Sequence, residues 1–170
     1  MLDERTKAPA DRKPSILEAP SMFQVARLVG ETVREEIRSH SLEGQRADAA
    51  FNATIIVGGQ IRGSAPRLFM VYPEGNFIEA SSETPFFQIG ETKYGRPILV
   101  RAYDPDMSFE DAVKLMLVSF DSTIKANLSV GLPLDLQVYE NDSFLISHEQ
   151  RIPLDDAYYN LISTGWGEAL

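Results

Sequence analysis

Apolar residues at Met22, Ala26, Val29, Val33 and Ile37 recur at spacings of three and four, which predicts an amphipathic helix opening at Ser21. Ser21 and Gln24 occupy the two positions of a capping box, so a hydroxyl and an amide can satisfy orphan backbone donors reciprocally. Arg27, Glu31, Arg34, Glu35 and Arg38 fill the remaining faces, and Gly44 offers a stop just beyond. Upstream, residues 1–20 mix charges and carry Pro9, Pro14 and Pro20 without sustained periodicity, the pattern of a connector.

After the first helix the period changes. Phe51 to Gly59 is a β-rich apolar run closed by two glycines. Arg67 to Tyr72 and Phe77 to Ala80 flank Pro73-Glu74-Gly75-Asn76, whose residues favour a turn, so the pair predicts a hairpin. From Thr84 to Tyr103 the signal is mixed, and a helix is expected after Gly90, interrupted or restarted near Pro97. Ser108, with Glu110 and Asp111 behind it, is a strong helix start. Ala112, Val113, Met116, Leu117, Phe120 and Ile124 then predict a wide buried face. Leu132, Leu134, Leu136 and Val138 alternate with Asp135, Gln137 and Tyr139 as a half-buried strand. Glu140 to Ser143 turns the chain, and Phe144 to Ile152 returns as a second strand. Asp155 and Asp156 are expected to cap a last helix that points Tyr158, Leu161 and Ile162 inward.

Composition narrows the class. At 170 residues a single domain over residues 21–170 is expected, and a chain of this size buries roughly 70% of its unfolded surface. No apolar run approaches the ~20 residues that span a bilayer, so a transmembrane helix is excluded and no membrane partner is expected. The opening Asp3, Glu4 and Arg5 interrupt any apolar signal core, which makes the cytoplasm the simplest location. The absence of cysteine removes disulfides, zinc thiolates and cysteine nucleophiles. The net charge of −9 repels phosphate backbones, so nucleic acid is not an expected partner. His40 and His148 stand in no metal-ligand spacing, and Asp104 with Asp106 around Pro105 reads as a solvated turn, so no metal is expected.

The ordered segments from Phe51 onward carry a resemblance. Phe51 to Gly59, Pro66 to Phe77, Phe87-Gln88-Ile89-Gly90-Glu91-Thr92-Lys93-Tyr94-Gly95 and Asn127-Leu128-Ser129-Val130-Gly131-Leu132-Pro133 resemble the later two-thirds of a proteasome β-type subunit. Their wording is similar to the bacterial branch called Anbu, the ancestral β-subunit homologue. The resemblance implies an α+β fold, an incomplete four-layer αββα sandwich of antiparallel sheets of the N-terminal nucleophile hydrolase type. It implies threonine-type proteolysis of peptides or unfolded proteins, with no cofactor, in a homo-oligomer of like subunits. The helices from about Gly90 to Tyr103 and from Ser108 to Ile124 are the expected interface.

In that family the hydroxyl of an amino-terminal threonine attacks the scissile carbonyl. Its own α-amine, with an ordinary pKa of about 7.7–8.0, takes the proton. This sequence begins Met1-Leu2-Asp3, so the threonine and the lysine and aspartate that tune it are expected upstream of Met1. No catalytic residue is assigned within the chain, and the chain alone is expected to be inactive. Thr6 would lead only after loss of Met1 to Arg5, and Lys7-Ala8-Pro9 is unlike the family's opening strand. The alternative is a non-catalytic scaffold or interaction subunit.

The resemblance implies supporting roles for four residues. Ser129 and Gly131 match the serine and final glycine of the family's Ser-Gly-Gly turn, where the serine touches the threonine amine. The family's aspartate three residues earlier falls on Ala126, and Asn127 is the geometric substitute. Gly90 matches the first glycine of a Gly-Ser-Gly loop at the floor of the site. Glu91 beside it either places a carboxylate near the nucleophile or caps the following helix. A Thr92–Lys93 pair is disfavoured, since adjacent side chains on a helix point apart.

Overall fold

A computed structural model describes residues 15–42 and 52–169; the expectations for residues 1–14, Gly44 and Phe51 lie outside these. The elements are α1 (Met22–Leu42), β1 (Ile55–Gly59), β2 (Arg67–Val71), β3 (Phe77–Glu79), α2 (Arg96–Ala102), α3 (Phe109–Ala126), β4 (Leu134–Tyr139), β5 (Ile146–Ile152) and α4 (Ala157–Ala169). The fold is α+β with two antiparallel sheets, and the chain divides into two compact units, residues 1–87 and 88–170. Among the described residues no helix is long and apolar enough to cross a membrane.

In the first unit Ser15 Oγ accepts from Leu17 N at 3.2 Å, closing a 3-10 turn (Ile16–Glu18) within the expected connector. Ser21 Oγ then accepts from Gln24 N at 3.3 Å and starts α1, as the capping pattern predicts. Met22, Val25 and Ala26 pack with Phe69 of β2, and Val29, Val57 and Phe77 close around them. Phe77 meets Phe69 and Phe23 edge to face, with ring centroids 5.7 and 5.2 Å apart. The strands run β1-β2-β3, with Val57 opposite Phe69 and Val71 opposite Phe77.

The turn between β2 and β3 is seated directly on the helix. Gly75 takes a φ of +87°, which favours glycine. A Cβ on Gly30 of α1 would lie 2.2 Å from the Gly75 carbonyl oxygen, and one on Gly75 would lie 2.8 Å from the Gly30 oxygen. Both residues must therefore lack side chains for backbone to meet backbone. At the other end of the hairpin, Arg67 forms a two-pronged ion pair with Glu79.

The second unit departs from the sequence reading on each of its helices and at its hairpin turn. The helix expected after Gly90 begins only at Arg96, and Pro97 lies in its first turn. A proline there loses no helical hydrogen bond, so it opens the helix and does not interrupt it. On α3, Met116 and Phe120 are exposed, whereas Ser119, Asp121 and Thr123 are buried. Ser119 and Thr123 are buried by a close helix contact: a Cβ on Gly95 would lie 2.3 Å from Ser119 Oγ and 2.9 Å from Thr123 Oγ1. The phase of α4 also differs, with Tyr158 and Leu161 exposed and Tyr159 buried. Asp156, not Asp155, supplies the cap, its Oδ1 accepting from Tyr159 N at 2.7 Å. Leu117, Ile152 and Tyr159 form the second core, flanked by Val113, Leu134 and Ile162.

β4 and β5 pair from Leu134 opposite Ile152 to Tyr139 opposite Ile146, with a register shift at Val138/Tyr139. Asp142 and Phe144 both take positive φ, so the turn runs longer than expected and β5 starts at Ile146. Arg151 pairs with Asp135 at 3.0 Å, and Gln137 Nε2 donates to Glu149 Oε1 at 3.0 Å. Ile152 is the one buried residue of β5.

Candidate functional site

The end of α3 and the turn before α2 meet within the second unit. Asn127 caps α3, its backbone N–H donating to Thr123 O at 2.9 Å while its φ of −137° leaves the helix. Its side-chain Oδ1 then accepts twice from Ser129, from the backbone N at 2.9 Å and from Oγ at 2.7 Å. This is an Asx-type turn, a local hydrogen bond that short polar side chains offer in place of continued helix. Ser129 is exposed at its tip.

Asn127 Nδ2 reaches the other way and donates to Glu91 Oε2 at 2.9 Å, joining residues 36 apart in sequence. Glu91 Oε1 accepts from Lys93 N at 2.8 Å. Of the two roles weighed for Glu91, helix capping does not hold in its simple form, because α2 starts at Arg96. The carboxylate instead fixes the turn ahead of that helix and bridges to the Asn127 cap. The Lys93 backbone N–H, followed by the Asn127 amide, holds the Glu91 carboxyl below the usual glutamate range. Glu91 is accordingly ionised at neutral pH.

Gly90 carries a φ of +79°, a conformation that favours glycine, and a Cβ there would point into open space. A Cβ on Gly131 would likewise meet nothing, so the chain's own packing does not demand that glycine. The structure therefore links Glu91 and Ser129 through Asn127, with Gly90 adjoining Glu91. It gives Gly131 no comparable tie. Gln88 was not singled out by the sequence: its Nε2 lies 3.4 Å from Glu91 O, and its Oε1 is buried without a hydrogen-bond partner. Buried, unpaired carbonyls leave no sequence signal.

Thr92 and Lys93 lie in a turn, not on a helix, and the Lys93 ammonium sits 5.4 Å from the centre of the Tyr94 ring. His148 Nε2 lies 3.3 Å from Gln150 Oε1, and His40 Nδ1 lies 2.8 Å from Glu36 O. Asp104 Oδ1 accepts from Asp106 N at 2.9 Å, a local turn contact.

Three comparisons bear on this arrangement. The β-subunit of the Methanocaldococcus jannaschii proteasome is 29% identical over 102 residues, which cover 60% of this chain and 45% of that subunit. Anbu from Hyphomicrobium sp. strain MC1 superposes with a TM-score of 0.85 at 49% identity, over 97% of this chain and 66% of the other. Anbu from Pseudomonas aeruginosa, solved as a helical assembly, superposes with a TM-score of 0.84 at 44% identity, over 94% and 66%. The chain thus spans less than two thirds of the length of these relatives. Residues 26–136, from the core of α1 to the middle of β4, match the proteasome subunit family. With that match and the shared antiparallel α+β fold, this chain belongs to the proteasome subunit family.

Proposed function

We propose that the chain is the greater part of an Anbu-type proteasome β-subunit. The full-length protein cleaves peptides or unfolded proteins through an amino-terminal threonine carried in the family's opening third. The observation that supports this reading is the turn closing α3, where an exposed Ser129 hydroxyl is held by Asn127. Ser129 orients the threonine amine, the proton acceptor of the reaction. Gly90 and Glu91 form the adjoining floor, and Gly131 leaves the far side of the turn open to substrate. The protein acts in the cytoplasm.

The test is peptide hydrolysis by the full-length subunit with its threonine free. Turnover is expected to be abolished by a threonine-directed covalent inhibitor and to fall on the order of 10²-fold in Ser129→Ala. A folded full-length subunit with a free threonine and no turnover of any peptide would overturn the reading.

The same reading includes assembly with like subunits through α2 and α3. Val100 on α2 and Phe109, Met116 and Phe120 on α3 are exposed apolar side chains that a second copy would cover. Enclosure by neighbouring copies would exclude folded proteins from the site.

A further inference from the structure

We infer that Glu91 and Asn127 form a positioning pair that sets the polarity of the Ser129 hydroxyl, making it donate inward to Asn127 and leaving its lone pairs outward for an incoming N–H group. Naming that group as the amino-terminal amine rests on the function proposed above; the pair itself rests on geometry.

An ionised carboxylate can only accept hydrogen bonds, and both Glu91 oxygens do so, from Lys93 N and from Asn127 Nδ2. The Asn127 amide therefore turns its NH₂ toward Glu91 and its carbonyl toward Ser129. The Ser129 backbone N–H, which is only a donor, lies 2.9 Å from Asn127 Oδ1 and requires the same orientation. Two independent partners thus fix which end of the amide faces which way. Asn127 Oδ1 has no proton, so the 2.7 Å contact to Ser129 Oγ must contain the serine's own. A hydroxyl has one proton. Once it is committed inward, Ser129 Oγ can only accept from the exposed side.

The ligand class follows: a hydrogen-bond donor, which the function proposed above makes the amino-terminal amine, and not a carboxylate or carbonyl. The negative charge comes from Glu91, 36 residues from Asn127, and reaches Ser129 through a neutral amide. Lys93 is the charged neighbour of Glu91.

The pair is tested by exchanging its polarity. Asn127→Asp puts two carboxylates face to face, which raises the pKa of one of them. Adding Glu91→Gln to it restores a donor–acceptor contact with the ends reversed. The glutamine carbonyl keeps Lys93 N, its NH₂ donates to the new carboxylate, and that carboxylate still accepts from Ser129. NMR on the isotope-labelled chain is expected to show the Asn127 side-chain NH₂ resonances moving with the Glu91 titration. Asn127 resonances indifferent to that titration would overturn the pair.

In the full-length subunit, Asn127→Asp is expected to lower peptide turnover at neutral pH by at least about tenfold. Acidification should recover part of the loss, and the double variant most of it. Failure of the double variant to exceed Asn127→Asp, with both folded, would also overturn the pair. A full-length subunit inactive in every form would defeat the peptidase reading alone, because the NMR result decides the pair by itself.

Discussion

Tyr159 of α4 donates its hydroxyl to the buried carboxylate of Asp121 on α3 across 3.1 Å, a side-chain contact that pins these helices through a charge. Lys125 Nζ lies 3.1 Å from the other carboxylate oxygen, Oδ2, without the angle of a hydrogen bond. The tyrosine is thus the better-formed partner of a group that is costly to leave unsatisfied. Tyr159→Phe keeps the ring in the core and removes only that donor. It is expected to destabilise the chain by about 1–3 kcal/mol, read from the midpoint of urea unfolding at neutral pH. An unchanged midpoint would show that Lys125 suffices.

The same contact sets a limit in alkali. Burial, followed by the Asp121 charge and the hydrogen bond, pushes the Tyr159 hydroxyl up to about 12 from its ordinary 10.0. A group whose folded pKa is raised contributes stability that is complete below the unfolded value and is lost as pH rises through the folded one. Stability is therefore expected to decline between about pH 10 and 12, and the part due to this group should vanish in Tyr159→Phe. Parallel stability curves for the two proteins over that range would refute the assignment.

Acid acts on the candidate site in the opposite sense. Glu91 is held below the usual range, so its contribution is present above the ordinary glutamate pKa and disappears as pH falls through the depressed value. Glu91→Gln should remove that portion of the acid dependence. The check is the pH profile of thermal unfolding for both proteins, and identical acid limbs would count against it.

Gly30 and Gly75 make a second test of packing. Alanine at Gly30 forces a Cβ to within 2.2 Å of a backbone oxygen, which no rotamer can relieve. Alanine at Gly75 adds strain at positive φ. Each substitution is expected to cost more than about 1 kcal/mol, whereas Gly165→Ala, with open space around it on α4, should be neutral or stabilising. Chemical denaturation of the three variants checks the order.

For assembly, Val100→Glu and Phe109→Asp place charge on exposed apolar positions of α2 and α3. Both are expected to shift the full-length protein toward smaller species in sedimentation velocity without lowering its unfolding temperature. Unchanged sedimentation of both variants would remove these helices from the interface.

The sequence by itself determined the helices and strands wherever the signal was local. The Ser21 and Ser108 caps, the α1 stripe, the Gly75 turn and the alternation along β4 are all found in the fold. Periods of 3.6 and 2 and the chemistry of a cap involve residues a few positions apart, so one stretch of chain contains the whole cause. Tertiary structure decided what a segment faces. Ser119 and Thr123 are buried because Gly95 lets α2 approach so closely, and Tyr159 turns inward toward Asp121. The candidate site divides the same way. Ser129, Gly90 and Glu91 were legible through the resemblance, and Asn127 only as a geometric substitute. The bond that joins Glu91 to Ser129 through it needs two segments brought together by folding, and no local pattern encodes that distance.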